Sequence, residues 1–490
     1  MAGSMSGYGG NNSPLINEET VKQQNNLEVA QILLEDEEDR LSALPDPVLL
    51  HILSFLDSTT DVVRTTILAK RWRYLWTDVS KFDFCNDSQD TERIRAFVDW
   101  IFRTLILSCG HNLKKFRVKF NYQDCFASRV YSCVRFCIRF MVEDVTLDFS
   151  QGNYKLPPTL HFNSFLKKLR LRNCTIAPPQ QSLEWKCLTS LSIEEVELSQ
   201  SLLGIILSGC PVLEYLELTK CWGTSSLEFN TRSPKELVLR NWFSTGSLPL
   251  VISAPHLQFL SITDHTIGET NGALQLFSIS SLVKANLHFK YCCLSTNVTD
   301  SVFMRELFES LQHVEELELG NWFYEVVSEF ETKGWQLPQY ACKCLTLNAF
   351  RCGESIPGIL RMLESSPKLE TLVINWSDPP PPPYKVSNIA PILSLVPGDP
   401  ATSGDLNCDL LQLKMVKLAL FEGPYDVDEP MLKLVQLLLK RARILEKIAI
   451  DVKEFMGSSS TTCSSNYSKI SQTVLSYPRS SPKIVVQFCS

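Results

Sequence analysis

An α/β fold is predicted for this chain: a short N-terminal helical module, then a solenoid on a curved parallel sheet, then a C-terminal cap. Two observations predict it. A compact apolar segment, "LPDPVLLHILSFLDSTTDVVRTTILAKRWRYLW" from Leu44 to Trp76, breaks into three helix-sized pieces. Beyond it, the pattern apolar-x-x-apolar-x-apolar recurs at nearly constant spacing down most of the chain.

Composition narrows the class. The chain has 490 residues, enough for two to four domains. At 44% hydrophobic and 21% charged it reads as soluble and globular, and its net charge of −7 gives no global attraction to nucleic acid or to anionic membrane. The N-terminus "MAGSMSGYGGNNSPLINEET" lacks the basic and apolar regions of a secretory signal. The stretch "MLKLVQLLLKRARILEKIAI" is broken by Lys433, Lys440, Arg441 and Arg443, so it does not read as a bilayer span. Seventeen scattered cysteines read as reduced thiols used as small apolar residues. The tightest groups, Cys133/Cys137 and Cys342/Cys344, do not repeat as the pair of pairs a structural zinc site uses. No metal or cofactor is expected, and the expected compartment is nucleus or cytoplasm.

Residues 1–38 are rich in Gly, Asn, Ser, Gln and Glu without an apolar period, and read as disordered. In 39–80, Asp46 is placed as N-cap with Pro47 at the first helical position. Val48, Leu49, Ile52, Leu53 and Leu56 form the first helical face. "DSTTD" breaks that helix and offers fresh caps. A second helix carries Val62, Val63 and Ile67, and a third carries Trp72, Leu75 and Trp76. So small a module rarely hides that much apolar surface. Either it caps the repeats, or its surface is half of an interface. The bases in "KRWRYLW" sit between apolar helix positions, as solvated charges do, so no nucleic-acid partner is expected.

The 91–377 region opens with a helix whose Ile94, Phe97, Val98, Ile101, Phe102 and Leu105 form one stripe. The repeats follow: "LKKLRL" at 166, "LTSLSI" at 188, "LEYLEL" at 213, "PKELVL" at 234, "LQFLSI" at 257, "LVKANL" at 282, "VEELEL" at 314, "CKCLTL" at 342 and "LETLVI" at 369. Nearly all the intervals fall within the 20–29 residues of leucine-rich repeats. One such hexamer is weak evidence. A run of them at this spacing is strong, because each unit buries its leucines only by stacking on the next. Weaker copies lie at 113, 142, 415 ("MVKLAL") and 445 ("LEKIAI"). "DPPPPPY" marks 378–405 as a linker or surface loop, and 406–490 reads as a terminal unit.

"DRLSALPDPVLLHILSFLDSTTDVVRTTILAKRWRYLW" strongly resembles the F-box of plant F-box proteins. The repeats, "CGESIPGILRMLESSPKLETLVINW" and the terminal unit resemble the F-box/leucine-rich-repeat/FBD family from Asp39 to the end. The resemblance implies a three-helix F-box, a leucine-rich-repeat solenoid and a C-terminal FBD cap. It also implies docking on a Skp-family adaptor, and through it on a cullin-based ubiquitin ligase. The family's Leu-Pro entry falls on Leu44 and Pro45, its first-helix face on Leu49, Ile52, Leu53 and Leu56, and its aromatic anchor on Trp72, with Leu68, Leu75 and Trp76 nearby. Pro47 departs from the usual Glu or Asp.

Within each repeat strand, residues between the leucines point to the concave face. That places Arg170, Arg172, Glu194, Glu217 and Arg240 toward a target protein. Trp242 and Trp322 fall at the inward turn of their repeats and read as core. Trp222 and Trp376 are displaced by one residue and read as exposed anchors. No P-loop, GxSxG, HExxH or Rossmann fingerprint occurs, so no catalytic residues are assigned. The functional expectation is a non-catalytic substrate-recognition subunit of a Skp–cullin–F-box ubiquitin ligase that binds an unidentified target, with no membrane partner. The alternatives are a non-degradative repeat scaffold and a receptor holding a small ligand.

Overall fold

In a computed structural model the described residues are 41–489, apart from 178–182, 225, 230–233, 243–249, 268–273, 292–300, 322, 324–325, 328–333, 351–354, 378–408, 422–429 and 454–469. The expected disordered segment 1–38, the linker 378–405 and Trp322 therefore lie outside them. The chain divides into two compact units, Met1–Phe84 with Arg103–Leu113, and Cys85–Phe102 with Lys114–Ser490.

In the first unit, helices α1 (Asp46–Ser54) and α2 (Thr59–Arg64) precede three 3-10 turns, Thr65–Ile67, Lys70–Arg73 and Leu75–Asp78, and strand β1 (Lys81–Cys85). Pro45, not Asp46, is the N-cap of α1, which leaves Asp46 in the first turn, where its charge favours the helix dipole. Ser58 caps α2: its Oγ accepts from the Asp61 amide at 3.1 Å. The expected second helix stops at Arg64, where β-branched Thr65, Thr66 and Ile67 disfavour its continuation, so Ile67 falls in a 3-10 turn. The expected third helix is a pair of 3-10 turns entered from an extended Ala69. Side-chain bonds from Arg71 and Trp72 tie these turns back to the entry segment. Arg71 Nη2 meets Asp46 Oδ1 at 2.7 Å, and Trp72 Nε1 donates to Ser42 Oγ at 2.8 Å.

Helix α3 (Thr91–Leu107) buries Ile94, Val98, Ile101 and Leu105 from the expected stripe. Next come β2 (Lys115–Phe120), α4 (Ala127–Arg139), β3 (Asp144–Phe149), β4 (Tyr154–Lys155), β5 (Lys168–Arg172), β6 (Cys174–Thr175) and β7 (Ser190–Glu194). Then follow α5 (Gln200–Gly209), β8 (Tyr215–Thr219), β9 (Ser226–Glu228), β10 (Glu236–Arg240), β11 (Leu250–Ser253), β12 (Phe259–Ile267), β13 (Leu274–Phe277) and β14 (Lys284–Tyr291). The remainder is α6 (Ser301–Ser310), β15 (Glu316–Leu319), β16 (Cys344–Phe350), α7 (Ser355–Glu364), β17 (Thr371–Ser377), β18 (Met415–Phe421), α8 (Pro430–Arg441), β19 (Lys447–Lys453) and β20 (Val485–Cys489).

Every full copy of the repeat pattern lies on a strand of one sheet, which in the second unit runs β2-β3-β5-β7-β8-β10-β12-β14-β15-β16-β17-β18-β19-β20. The named pairs are parallel and keep one register, so Arg170, Ser192, Glu217, Val238 and Ser261 stand in a row across five strands. The pattern leucines are buried, among them Leu169, Leu171, Leu191, Ile193, Leu216 and Leu218. Burying each such side chain contributes roughly 1.5–3 kcal/mol, and only adjacent repeats supply the cover. Val238, expected on the open face, is buried as well.

Each of several strands ends on a left-handed residue: Asn173, Glu195, Lys220 and Asn241 have φ of 51°, 56°, 49° and 46°. Their amides donate to a carbonyl of the next strand, Asn173 to Glu194, Glu195 to Thr219, Lys220 to Arg240 and Asn241 to Thr263. The residue after each, Cys174, Val196, Cys221 or Trp242, then turns into the core.

The terminal unit extends this same sheet through β18, β19 and β20. Its repeat copy begins at Leu413 rather than 415. Leu413, Val416 and Leu418 are the buried set, with Val416 and Leu418 opposite Leu372 and Ile374, while Met415 lies on the other face.

Candidate interaction surfaces

The residues assigned to an adaptor contact separate into two groups. Leu49, Leu53, Trp72 and Trp76 are buried, Leu44, Ile52, Leu56 and Leu75 are half-buried, and Pro45 and Leu68 are exposed. Assigning the first four to an open surface is corrected: a module this small uses its largest side chains as its own interior. The exposed apolar groups are largely others. Phe55 is 72% exposed, Ile67 86%, Leu68 59% and Tyr74 70%, and Val48 is also exposed. A signal for them was present. Val48, Ile52 and Phe55 recur at i, i+4 and i+7, a second stripe beside Leu49, Leu53 and Leu56. Helix α1 is thus apolar on two faces, and a helix of that kind is suited to burial on both sides.

The open face of the sheet is charged over β2 to β10. Arg172 sits at its centre, with Nη1 3.6 Å from Asp148 Oδ1, Nε 3.4 Å from Glu194 Oε1 and Nη2 3.3 Å from Glu195 Oε1. Glu195 also accepts from Lys220 Nζ at 2.9 Å and from Asn173 Nδ2 at 2.8 Å. Partial burial pushes the Glu195 carboxyl up, but these bonds outweigh it and hold it below the usual range. Glu194, where burial dominates over the Arg172 charge, is shifted the other way. Glu217 is engaged through both oxygens, accepting from Arg240 Nε at 3.1 Å, Ser192 Oγ at 3.2 Å and the Tyr215 hydroxyl at 3.1 Å. Burial, with Glu217 alongside, pushes that hydroxyl up to about 12. A cavity of about 300 Å³ opens on this face, its lining including Arg117, Asp148, Arg170, Arg172, Glu194 and Glu217.

Further along, the face becomes largely neutral. His288 Nε2 lies 3.0 Å from Glu318 Oε1, Asn348 Nδ2 donates to the same oxygen at 3.2 Å, and Asn375 Nδ2 donates to Asn348 Oδ1 at 2.8 Å. Strand periodicity places these residues on the face but does not show that they form one chain.

The tryptophans divide as well. Trp222 is 37% exposed and Trp242 is buried. Trp376 is only 2% exposed, which corrects its assignment as an exposed anchor. Strand β17 runs on to Ser377, so Trp376 continues the inward alternation of Leu372 and Ile374. Burial pushes the Cys133 and Cys342 thiols up to about 12, far from the thiolate state a metal ligand or nucleophile needs. Among the described residues no group of three or more His, Cys, Asp or Glu is arranged to hold a metal ion, and no helix is long and apolar enough to cross a membrane.

Residues 41–80 match the F-box-like family, and residues 134–281 match the LRR repeats of the FBD-associated F-box protein At5g56370. The chain is 31% identical over 351 residues to the putative F-box protein At1g49610 of Arabidopsis thaliana, covering 69% of this chain and 85% of that one. It is 29% identical over 357 residues to the F-box/LRR-repeat protein At3g03360 of the same plant, covering 70% and 71%. The putative F-box/LRR-repeat protein At5g02930, also of that plant, is 26% identical over 433 residues, covering 84% and 87%. These matches, to a relative 31% identical of which 85% is covered and to the F-box-like family at the N-terminus, show that the chain belongs to the F-box/leucine-rich-repeat family.

Proposed function

We propose that the chain is the substrate-recognition subunit of a Skp–cullin–F-box ubiquitin ligase. One observation carries this reading: the module that matches the F-box leaves Val48, Phe55, Ile67, Leu68 and Tyr74 exposed. Large apolar side chains grouped on so short a segment mark a protein interface. In this reading they meet a Skp-family adaptor, with Leu44, Pro45, Ile52, Leu56 and Leu75 at the margin of the contact. Leu49, Leu53, Trp72 and Trp76 support the surface from beneath.

The open face of the sheet, from Arg117 through Asn375, then holds a target protein. The chain performs no covalent step. It raises the effective concentration of target lysines near a ubiquitin-conjugating enzyme held elsewhere in the complex. The reading places the protein in the nucleus or cytoplasm.

Co-expression with a Skp-family adaptor tests it. The wild-type chain is expected to elute with the adaptor at one-to-one stoichiometry. The double variant Phe55→Asp/Leu68→Asp is expected to elute without it while keeping the wild-type circular dichroism spectrum. Stable co-elution of the double variant would remove the proposed contact. Target turnover measured with and without the intact F-box separates a ligase subunit from a scaffold: unchanged turnover favours the scaffold.

A further inference from the structure

Among the described residues, the charged side chains lining the cavity on the open face are matched within the chain, apart from Arg170. Arg172 meets Asp148, Glu194 and Glu195; Arg240 meets Glu217; Lys220 meets Glu195; Lys119 meets Asp87 at 2.8 Å; and Arg117 reaches Asp148 at 4.0 Å. Arg170 is exposed and has no carboxylate within ion-pair distance among the described residues. Register explains why. The residues opposite Arg170 are Thr146 on β3 and Ser192 on β7, both neutral hydroxyls. Glu217, one strand beyond Ser192, is already occupied by Arg240, Ser192 and Tyr215. Arg170, Thr146 and Ser192 all line the cavity of about 300 Å³.

We infer that Arg170 anchors an aspartate or glutamate side chain of the protein target. The inference rests on the reading of this face as the target-binding surface. A guanidinium is weakly hydrated and presents a planar fork of donors that fits a carboxylate in two parallel hydrogen bonds. The Thr146 hydroxyl beside it offers a further donor to the same group. Charge count selects the ligand. Arg170 leaves one positive charge uncompensated, and Asp148, Glu194 and Glu217 line the same cavity. A monoanionic carboxylate fills that deficit, whereas a phosphorylated side chain would bring a second negative charge against three carboxylates. The preference is therefore for acidic peptides over phosphopeptides.

An array of short peptides tests this with the full chain. Each peptide is printed with Asp or Glu, with Asn or Gln, with Lys or Arg, and with phosphoserine at one position. The wild-type chain is expected to retain acidic versions about tenfold more strongly than their amides, the low end of what a hydrogen bond to a charged group contributes. Arg170→Gln is expected to erase that selectivity, and Arg170→Glu to turn it toward Lys and Arg. Arg170→Gln should keep the wild-type melting temperature, because this side chain is exposed and unpaired. The inference is overturned if no acid-selective binding occurs, if selectivity survives in Arg170→Gln, or if phosphoserine is preferred. A control on the same face distinguishes the two ideas. Should Thr346→Trp abolish peptide binding that Arg170→Gln leaves intact, the anchor falls and the target-binding face stands. If neither variant alters binding, both fall.

Discussion

Arg170 and Arg172 stand two positions apart on one strand and have opposite circumstances. Arg172 finds three carboxylates across and along the sheet; Arg170 finds two hydroxyls. Glu195 shows how much such matching matters. It adopts a left-handed conformation that costs a non-glycine residue energy, and its bonds to Lys220, Asn173 and Arg172 hold it there. Its carboxyl titrates below the ordinary value of 4.5, so the stability it contributes is complete above that value and fades as pH falls through the lowered one. Glu195→Gln is therefore expected to unfold at lower denaturant concentration than wild type at pH 7. The gap should close in acid, and urea titrations at both pH values read it. A gap that persists in strong acid would mean the charge is not what stabilises this turn. Residue identity also separates two effects in the F-box. Trp72 is buried and bonded to Ser42, so Trp72→Ala should cost roughly 3–5 kcal/mol of module stability and confound any binding assay. Phe55→Asp should leave the fold intact.

Elements carry the clearest lesson about what a sequence discloses. The strands were legible because a period-two alternation that returns at a near-constant spacing fits little besides stacked parallel strands. Their ends were not. β17 runs three residues past Ile374, which turns Trp376 inward, and nothing in "INWSDP" marks that extension. Apolar Met415 next to Val416 made the register at β18 ambiguous by two residues, a shift that preserves the alternation. Helix α1 is apolar on two faces, so periodicity could not say which one is buried. Nor could it separate Arg170 from Arg172, because their partners come from strands about 22 to 25 residues away in repeat spacing. One element is fixed by close approach. Gly209, at the end of α5, would place an added Cβ 2.5 Å from the Leu183 carbonyl oxygen. Despite alanine's better helix propensity, Gly209→Ala is expected to destabilise by about 1–3 kcal/mol, measured by thermal or urea unfolding. A neutral or stabilising result would show that the Leu183 segment yields.

At the scale of the second unit, stability is close to a sum of repeats and their nearest-neighbour contacts. Leu216 and Leu218 on β8 are covered from both sides, so amides there should exchange slowly. Among the described residues β20 ends the sheet and pairs with β19 alone, and Val485 is 60% exposed. Hydrogen exchange is expected to run faster in β20 than in β8. Equal protection would mean that the unit opens all at once.

The left-handed residue at the close of several strands has a further consequence. Its amide fastens one strand's end to the next through main-chain atoms, so that part of the alignment does not depend on which side chains stand between the leucines. Evolution can therefore rewrite exposed positions that make no cross-strand bond, Arg170 among them, while the spine of the book stays sewn.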